Sequence, residues 1–278
     1  MVVREDGLAY RVKEKAYELG ADLAGLAPAM SVVNSPAHRV FAATGSTIDG
    51  DDAGMSPDGT RVGPPVDPEG KTVVVLALAH PRSTPELDYF SPKGNTPGNS
   101  ILIGIARDLI RWFDAVEGVR ARSLHYTVER GGVFLKDAAV MAGLGSIGRN
   151  NLLVTPQFGP RVRLRGLLVD AGLPGDSPID FDPCADCADY CRAACPRHAL
   201  DDAVEMPAAN SLVGLPARDG HYRRSRCMLQ MNEDRSVVGT SDIGGSSVME
   251  QGQIDSLSEY PVVHCRRCEF ACPVGDQL

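Results

Sequence analysis

The sequence has no apolar run long enough to enter or cross a bilayer. Nothing in its 278 residues approaches a membrane span of about 18 consecutive apolar positions. The opening stretch MVVREDGLAYRVKEKAYELG holds neither a signal-peptide core nor a twin-arginine pair ahead of one. The expectation is a soluble cytoplasmic protein with no membrane partner. An excess of positive charge is missing as well: 28 Lys and Arg face 36 Asp and Glu, a net charge of −8. Polyphosphate therefore meets no long-range attraction, and nucleic acid is not expected as a partner. There is no repeat of solenoid length. The histidines, His38, His80, His125, His198, His221 and His264, show no ligand spacing and read as structural or solvated. With 43% hydrophobic residues the chain builds a core without staples, and a cytoplasmic setting keeps thiols reduced. Its eight cysteines therefore point to metal or catalysis rather than to disulfides.

Up to about residue 175 strands and helices alternate. Apolar residues at helical spacing predict a helix over 7–19, with Gly20 just past its end, and a short strand over 21–27. Residues 28–71, rich in Pro, Gly and Asp, read as a long irregular segment with at most short helical pieces. The run TVVVLALA, 72–79, predicts a central strand covered on both faces. A helix with one buried stripe is expected over 100–114, a strand over 124–128, and a helix over 133–142 that ends at Gly143. Two strands, 151–155 and 161–170, follow around the turn PQFGP. The composition then shifts within 172–183, giving domains 1–175 and 176–278 and an α+β chain, and all eight cysteines lie in the second domain. The stretch 231–247 reads as a loop inserted between metal ligands.

The cysteines form two motifs. Cys184-x2-Cys187-x3-Cys191-x3-Cys195-Pro196 is followed, after a lone Cys227, by Cys265-x2-Cys268-x3-Cys272-Pro273. Two-cluster ferredoxins use C-x2-C-x2-C-x3-C-P, in which the fourth cysteine ligates the other cluster. Close spacing wraps one cubane, and the turn into proline carries the last thiolate away. On that pattern one [4Fe–4S] cluster takes Cys184, Cys187, Cys191 and Cys272, and the other takes Cys195, Cys227, Cys265 and Cys268. The interval between Cys187 and Cys191 is one residue longer than usual, so Tyr190 or a neighbour must bulge. Two four-cysteine zinc sites are the alternative, but zinc ribbons do not call for the x3-Cys-Pro ending twice.

Gly143-Leu-Gly-Ser-Ile-Gly148 matches G-x-G-x-x-G, with Asp170 farther on. A dinucleotide fingerprint needs a strand before it and a helix after it, whereas here a helix precedes and a strand follows. It reads instead as a helix-to-strand turn whose glycines let backbone approach a ligand.

The run AGLGSIGRNN (142–151), then LLVTPQFGPRVRLRGLLVD, then two cysteine motifs around a lone Cys227 in YRRSRCM, resembles the epoxyqueuosine reductase family, which is related to the reductive dehalogenases. The similarity runs from about Thr72 to the end. It implies a nitroreductase-like, corrinoid-binding α/β domain packed on a two-cluster ferredoxin-like domain. The cobalamin would be held without a histidine ligand, and the chain has no D-x-H-x-x-G box. The resemblance places Gly143, Gly145, Ser146, Gly148 and Asn150 at the cofactor. It also places Glu129 where the family has an aspartate proton donor, a role a carboxyl with a raised pKa can fill. On a continuous strand Tyr126 and Glu129 would face opposite ways. Two departures, Glu for Asp at 129 and Ser146 where the family often has Trp, separate the chain from the family's own substrate. It also ends five residues after Pro273, short of the extension with which tRNA-modifying members hold their substrate.

Two functions follow from the resemblance. One is a cobalamin-dependent iron–sulfur reductase of a small organic molecule, fed by a low-potential donor such as ferredoxin or flavodoxin. The other is an electron carrier or activator that docks on a partner enzyme or corrinoid protein and has no substrate of its own.

Overall fold

In the computed structural model residues 6–44, 66–89, 96–126, 128, 131–201, 223–237 and 265–276 are described. A four-stranded sheet is its frame, in the order β1 (Leu23–Pro28), β2 (Thr72–Ala79), β6 (Val162–Val169), β3 (Ala121–Ser123), with every pairing antiparallel. Central β2 is buried along nearly its whole length because helices cover both of its faces. Val74, Leu76 and Leu78 pack toward α1 (Asp6–Glu18) and α4 (Pro97–Trp112), while Val73 and Val75 pack toward α2 (Ala29–Val33) and α5 (Leu135–Met141). The period-two alternation of the strand thus divides its side chains between two cores.

Each helix follows from its pattern. In α1, Val12 and Ala16 are fully buried at i, i+4 spacing. In α4, Leu102, Ile105, Ala106 and Leu109 form the buried stripe, and the Thr96 hydroxyl caps the first turn by accepting from Asn99 N at 3.3 Å. Within 28–71 lie α2 and a second short helix, α3 (Pro36–Thr44); residues 45–65 lie outside the described region.

Two expectations need correction. The strand expected over 124–128 lies earlier, at Ala121–Ser123, and among the described residues only the Leu124 N–H, bonded to Gly166 O at 2.9 Å, continues the ladder. Residues 231–237, expected in a loop, belong to helix α7 (Arg224–Val237). In sequence that stretch, MNEDRSV, is mostly polar, so no apolar periodicity betrayed it.

The stretch 172–183 carries no helix or strand, yet it is fixed to the sheet. Asp176 accepts from Leu26 N at 2.9 Å through its carboxylate, returns its own N–H to Leu26 O at 2.8 Å, and pairs with Lys13 at 2.7 Å. Farther on, the chain turns back: Gly159, at φ 59°, sits so near Val274 that a Cβ there would collide with the Val274 carbonyl, a place only glycine fills. No helix among the described residues is long and apolar enough to cross a membrane.

Candidate metal centre

Helix α5 ends in a Schellman motif. Gly143, left-handed at φ 71°, donates to Val140 O, and Leu144 N donates to Ala139 O, both at 3.0 Å. A two-stranded ribbon follows, β4 (Ser146–Ile147) with β5 (Leu153–Val154), so helix precedes turn and strand follows it. The structure gives each residue of this turn a neighbour inside the protein. Gly143 lies against the Ser177 carbonyl and Gly145 against that of Val154. The Ser146 hydroxyl, wholly buried, donates to Phe181 O at 2.5 Å, and Asn150 Oδ1 accepts from Leu152 N at 3.1 Å. Gly148 faces Cys184 Sγ, and the next N–H, of Arg149, donates to that sulfur at 3.4 Å. The glycine turn therefore reaches the first cysteine. Glu129 lies outside the described residues.

The two motifs meet through their short helices, α6 (Tyr190–Ala193) and α8 (Arg267–Phe270), which pack on each other. Cys191, the most buried of the eight at 8% exposure, has Cys184, Cys187 and Cys272 as charge neighbours. Burial first, and those thiols after it, push its pKa up to about 11. Cys268 is also raised, by burial first and then by Cys227, Glu269, Cys265 and Cys191. Burial likewise raises Cys184 and Cys272. Cys195 accepts from Ala199 N at 3.3 Å, and α7 docks on that same turn: Arg223 N donates to Ala199 O at 2.6 Å and Arg226 to His198 O at 3.1 Å, bringing Cys227 with it. So Cys184, Cys187, Cys191 and Cys272 come together from both motifs, and Cys227, Cys265 and Cys268 gather beside them.

Among the described residues no His, Cys, Asp and Glu side chains form a group that could hold a single metal ion. The ligands of a cubane each bind a separate iron, so their sulfurs stand apart. Buried thiols whose ionised forms would repel one another suit such a cationic centre, which draws off their protons and neutralises the sulfurs.

Around the second motif lies a charged cluster that the sequence did not disclose. Arg161, 3% exposed in its side chain, donates to the carbonyls of Glu269, Cys272 and Val274 at 3.4, 3.3 and 2.6 Å. Arg266, beside Cys265, binds both Asp88 and Glu269, and Asp88 also holds His80 and Arg163. Arg82 caps the ring of Phe270 at 5.3 Å. Their separation in sequence, up to 188 positions, hid them. The one clue was the odd-numbered row Arg161, Arg163, Arg165 in and beside a strand with a buried far end.

No family model matches the chain. Tetrachloroethene reductive dehalogenase from Dehalobacter restrictus is 38% identical over 96 residues, 32% of this chain and 17% of that protein. Epoxyqueuosine reductase from Lactococcus garvieae is 24% identical over 180 residues, 61% of this chain and 45% of that one. The matches thus span less than half the length of these curated relatives. The structure of epoxyqueuosine reductase from Streptococcus thermophilus has a TM-score of 0.60 at 19% identity, covering 98% of this chain and 67% of that one. The chain is thus similar in sequence to two groups of reductase, the epoxyqueuosine reductases and the reductive dehalogenases, and has the mixed helix-and-sheet fold of the former.

Proposed function

We propose that this protein is an iron–sulfur oxidoreductase whose two [4Fe–4S] clusters deliver electrons to a corrinoid, for reduction of a small organic substrate rather than tRNA. The observation that carries this reading is the meeting of the two cysteine motifs, with Cys272 of the second beside Cys187 and Cys191 of the first. One cluster is assigned to those three with Cys184, the other to Cys195, Cys227, Cys265 and Cys268. When bound, the clusters supply single-electron transfer and the corrinoid a strongly reducing cobalt.

The chain's own residues hold and insulate. The Arg149 and Ala199 N–H groups point at cysteine sulfurs, bonds that tune a cluster's potential. Arg161 and Arg266 fix the loop that carries Cys265, Cys268 and Cys272. Because Ser146 and Gly145 are engaged with Phe181 and Val154, the turn offers a corrin its backbone surface. Glu129 is assigned as proton donor. The sheet corresponds to a nitroreductase-like corrinoid domain, residues 1–175, and 176–278 to a ferredoxin-like domain. Ferredoxin or flavodoxin is the donor in the cytoplasm.

Anaerobic reconstitution with iron and sulfide, followed by titration with cob(II)alamin under optical and EPR observation, tests this. The expected result is about eight irons per chain, as two cubanes require, with a base-off cobalt signal. Zinc in place of iron and sulfide overturns the reading. Full iron with no cobalamin response replaces the reductase by an electron carrier or activator that docks on a partner enzyme.

A further inference from the structure

Three residues, Ala188, Asp189 and Tyr190, separate Cys187 from Cys191, one more than the two-cluster ferredoxin pattern allows. The structure places the surplus at Asp189, which stands in the left-handed region at φ 56°, ψ 34°, a conformation Asp tolerates better than most residues. Asp189 is also the N-cap of α6, where an Asp side chain ordinarily accepts from a backbone N–H of the first turn. It makes no such bond. Its carboxylate turns outward instead, accepting from Arg149 Nη1 at 2.6 Å and from Arg192 Nη1 at 3.3 Å. Arg149 is the residue whose backbone N–H donates to Cys184 Sγ, and Gly148 beside it lies against the same sulfur. Both side chains of the pair are about two-thirds buried, at 34% and 35% exposure. One ion pair thus ties the lengthened cysteine loop to the turn that touches the loop's first sulfur.

We propose that Arg149 and Asp189 are a positioning pair: their bond seats the longer Cys187–Cys191 loop and holds the Arg149 N–H on Cys184, and so sets the reduction potential of the cluster that Cys184 ligates. This rests on the cluster assignment above. A hydrogen bond to a ligating sulfur stabilises the reduced, more negative cluster, so loosening it lowers the potential.

The two partners separate positioning from simple charge. Acting only through space, loss of the positive Arg149 would lower the potential and loss of the negative Asp189 would raise it. A positioning pair makes both losses act in the same direction. The experiment is EPR-monitored redox titration of the reconstituted full chain for wild type, Arg149→Gln, Arg149→Lys, Asp189→Asn and the double variant R149Q/D189N, with iron and sulfide counted in each. The expected result is a lower midpoint potential for one cluster in both R149Q and D189N, the other cluster unmoved. R149K is expected to recover part of the shift, and the double variant to move no farther than the larger single. Loss of one cluster from both single variants, with the second cluster's signal intact, supports the pairing in stronger form. An upward shift in D189N, or unchanged potentials in R149Q, overturns it while leaving the clusters in place. A wild type that takes up no iron overturns the cluster assignment itself, and the pairing with it.

Discussion

His80 Nδ1 lies 3.0 Å from Asp88 Oδ2, and both side chains are shut away from solvent, at 7% and 3% exposure. Asp88 also takes Arg163 from β6 and Arg266 from the second cysteine motif, so the sheet and the cysteine loop share one carboxylate. Asp88→Asn would leave two arginines facing a neutral amide. The expected cost is about 3–5 kcal/mol, the range for breaking a buried pair from one side. Urea unfolding of the two proteins measures it.

The same carboxylate predicts a pH dependence. Burial alone would raise its pKa, but His80, Arg266 and Arg163 outweigh burial and hold it below the ordinary carboxylate range. A depressed folded pKa contributes stability that is complete above the unfolded value, about 3.9, and is lost as pH falls through the folded one. Wild type should therefore lose stability below about pH 4, and D88N should show a flatter acid limb over that window. Thermal melts from pH 7 to pH 2.5 compare the slopes; parallel curves would remove Asp88 from the account.

Cys272→Ser tests the crossed ligand sets. Cys272 sits with first-motif thiols although it belongs to the second motif. The expected outcome is disturbance of the cluster on Cys184, Cys187 and Cys191, seen as a changed or missing EPR signal and iron falling toward half. Two unaltered spectra would show the assignment to be wrong.

Arg161→Met removes the donor to three carbonyls of the closing segment while keeping much of the side chain's bulk. The expected loss is on the order of 3 kcal/mol, since bonds from a charged donor are worth about 1.5–3 kcal/mol each and water recovers part. Limited proteolysis should then cut near 265–276 well before the sheet is attacked. Equal cleavage rates in the two proteins would count against this role.

Local signals in the sequence located α1, β2, α4 and the α5–Gly143 stop, because each depends on spacing or on a conformation that a few residue types prefer. Where the signal was nonlocal it failed. Leu124-His-Tyr-Thr-Val128 has stronger strand composition than Ala121-Arg-Ser123, yet the ladder to β6 uses the latter, since pairing and register decide an edge strand more than propensity does. The surplus residue before Cys191 was legible as a count; that Asp189 absorbs it, and that Arg149 holds it there, depends on a partner 40 positions away. The Asp88 cluster was invisible for the same reason.

The contact between Gly159 and Val274 bears on how such a protein could be rearranged in evolution. The change of composition near residue 175 has the look of a seam for the exchange of a cysteine-rich module, as modules are exchanged in multidomain chains. Yet the last motif is threaded back against a turn that precedes this seam, with no room for a side chain at the crossing and with Arg161 holding three of its carbonyls. A recombinant that swapped everything after 175 would inherit a turn shaped for a segment it no longer had. The two halves are therefore bound to drift together, and the turn PQFGP is as much a part of the cysteine region's inheritance as the cysteines are.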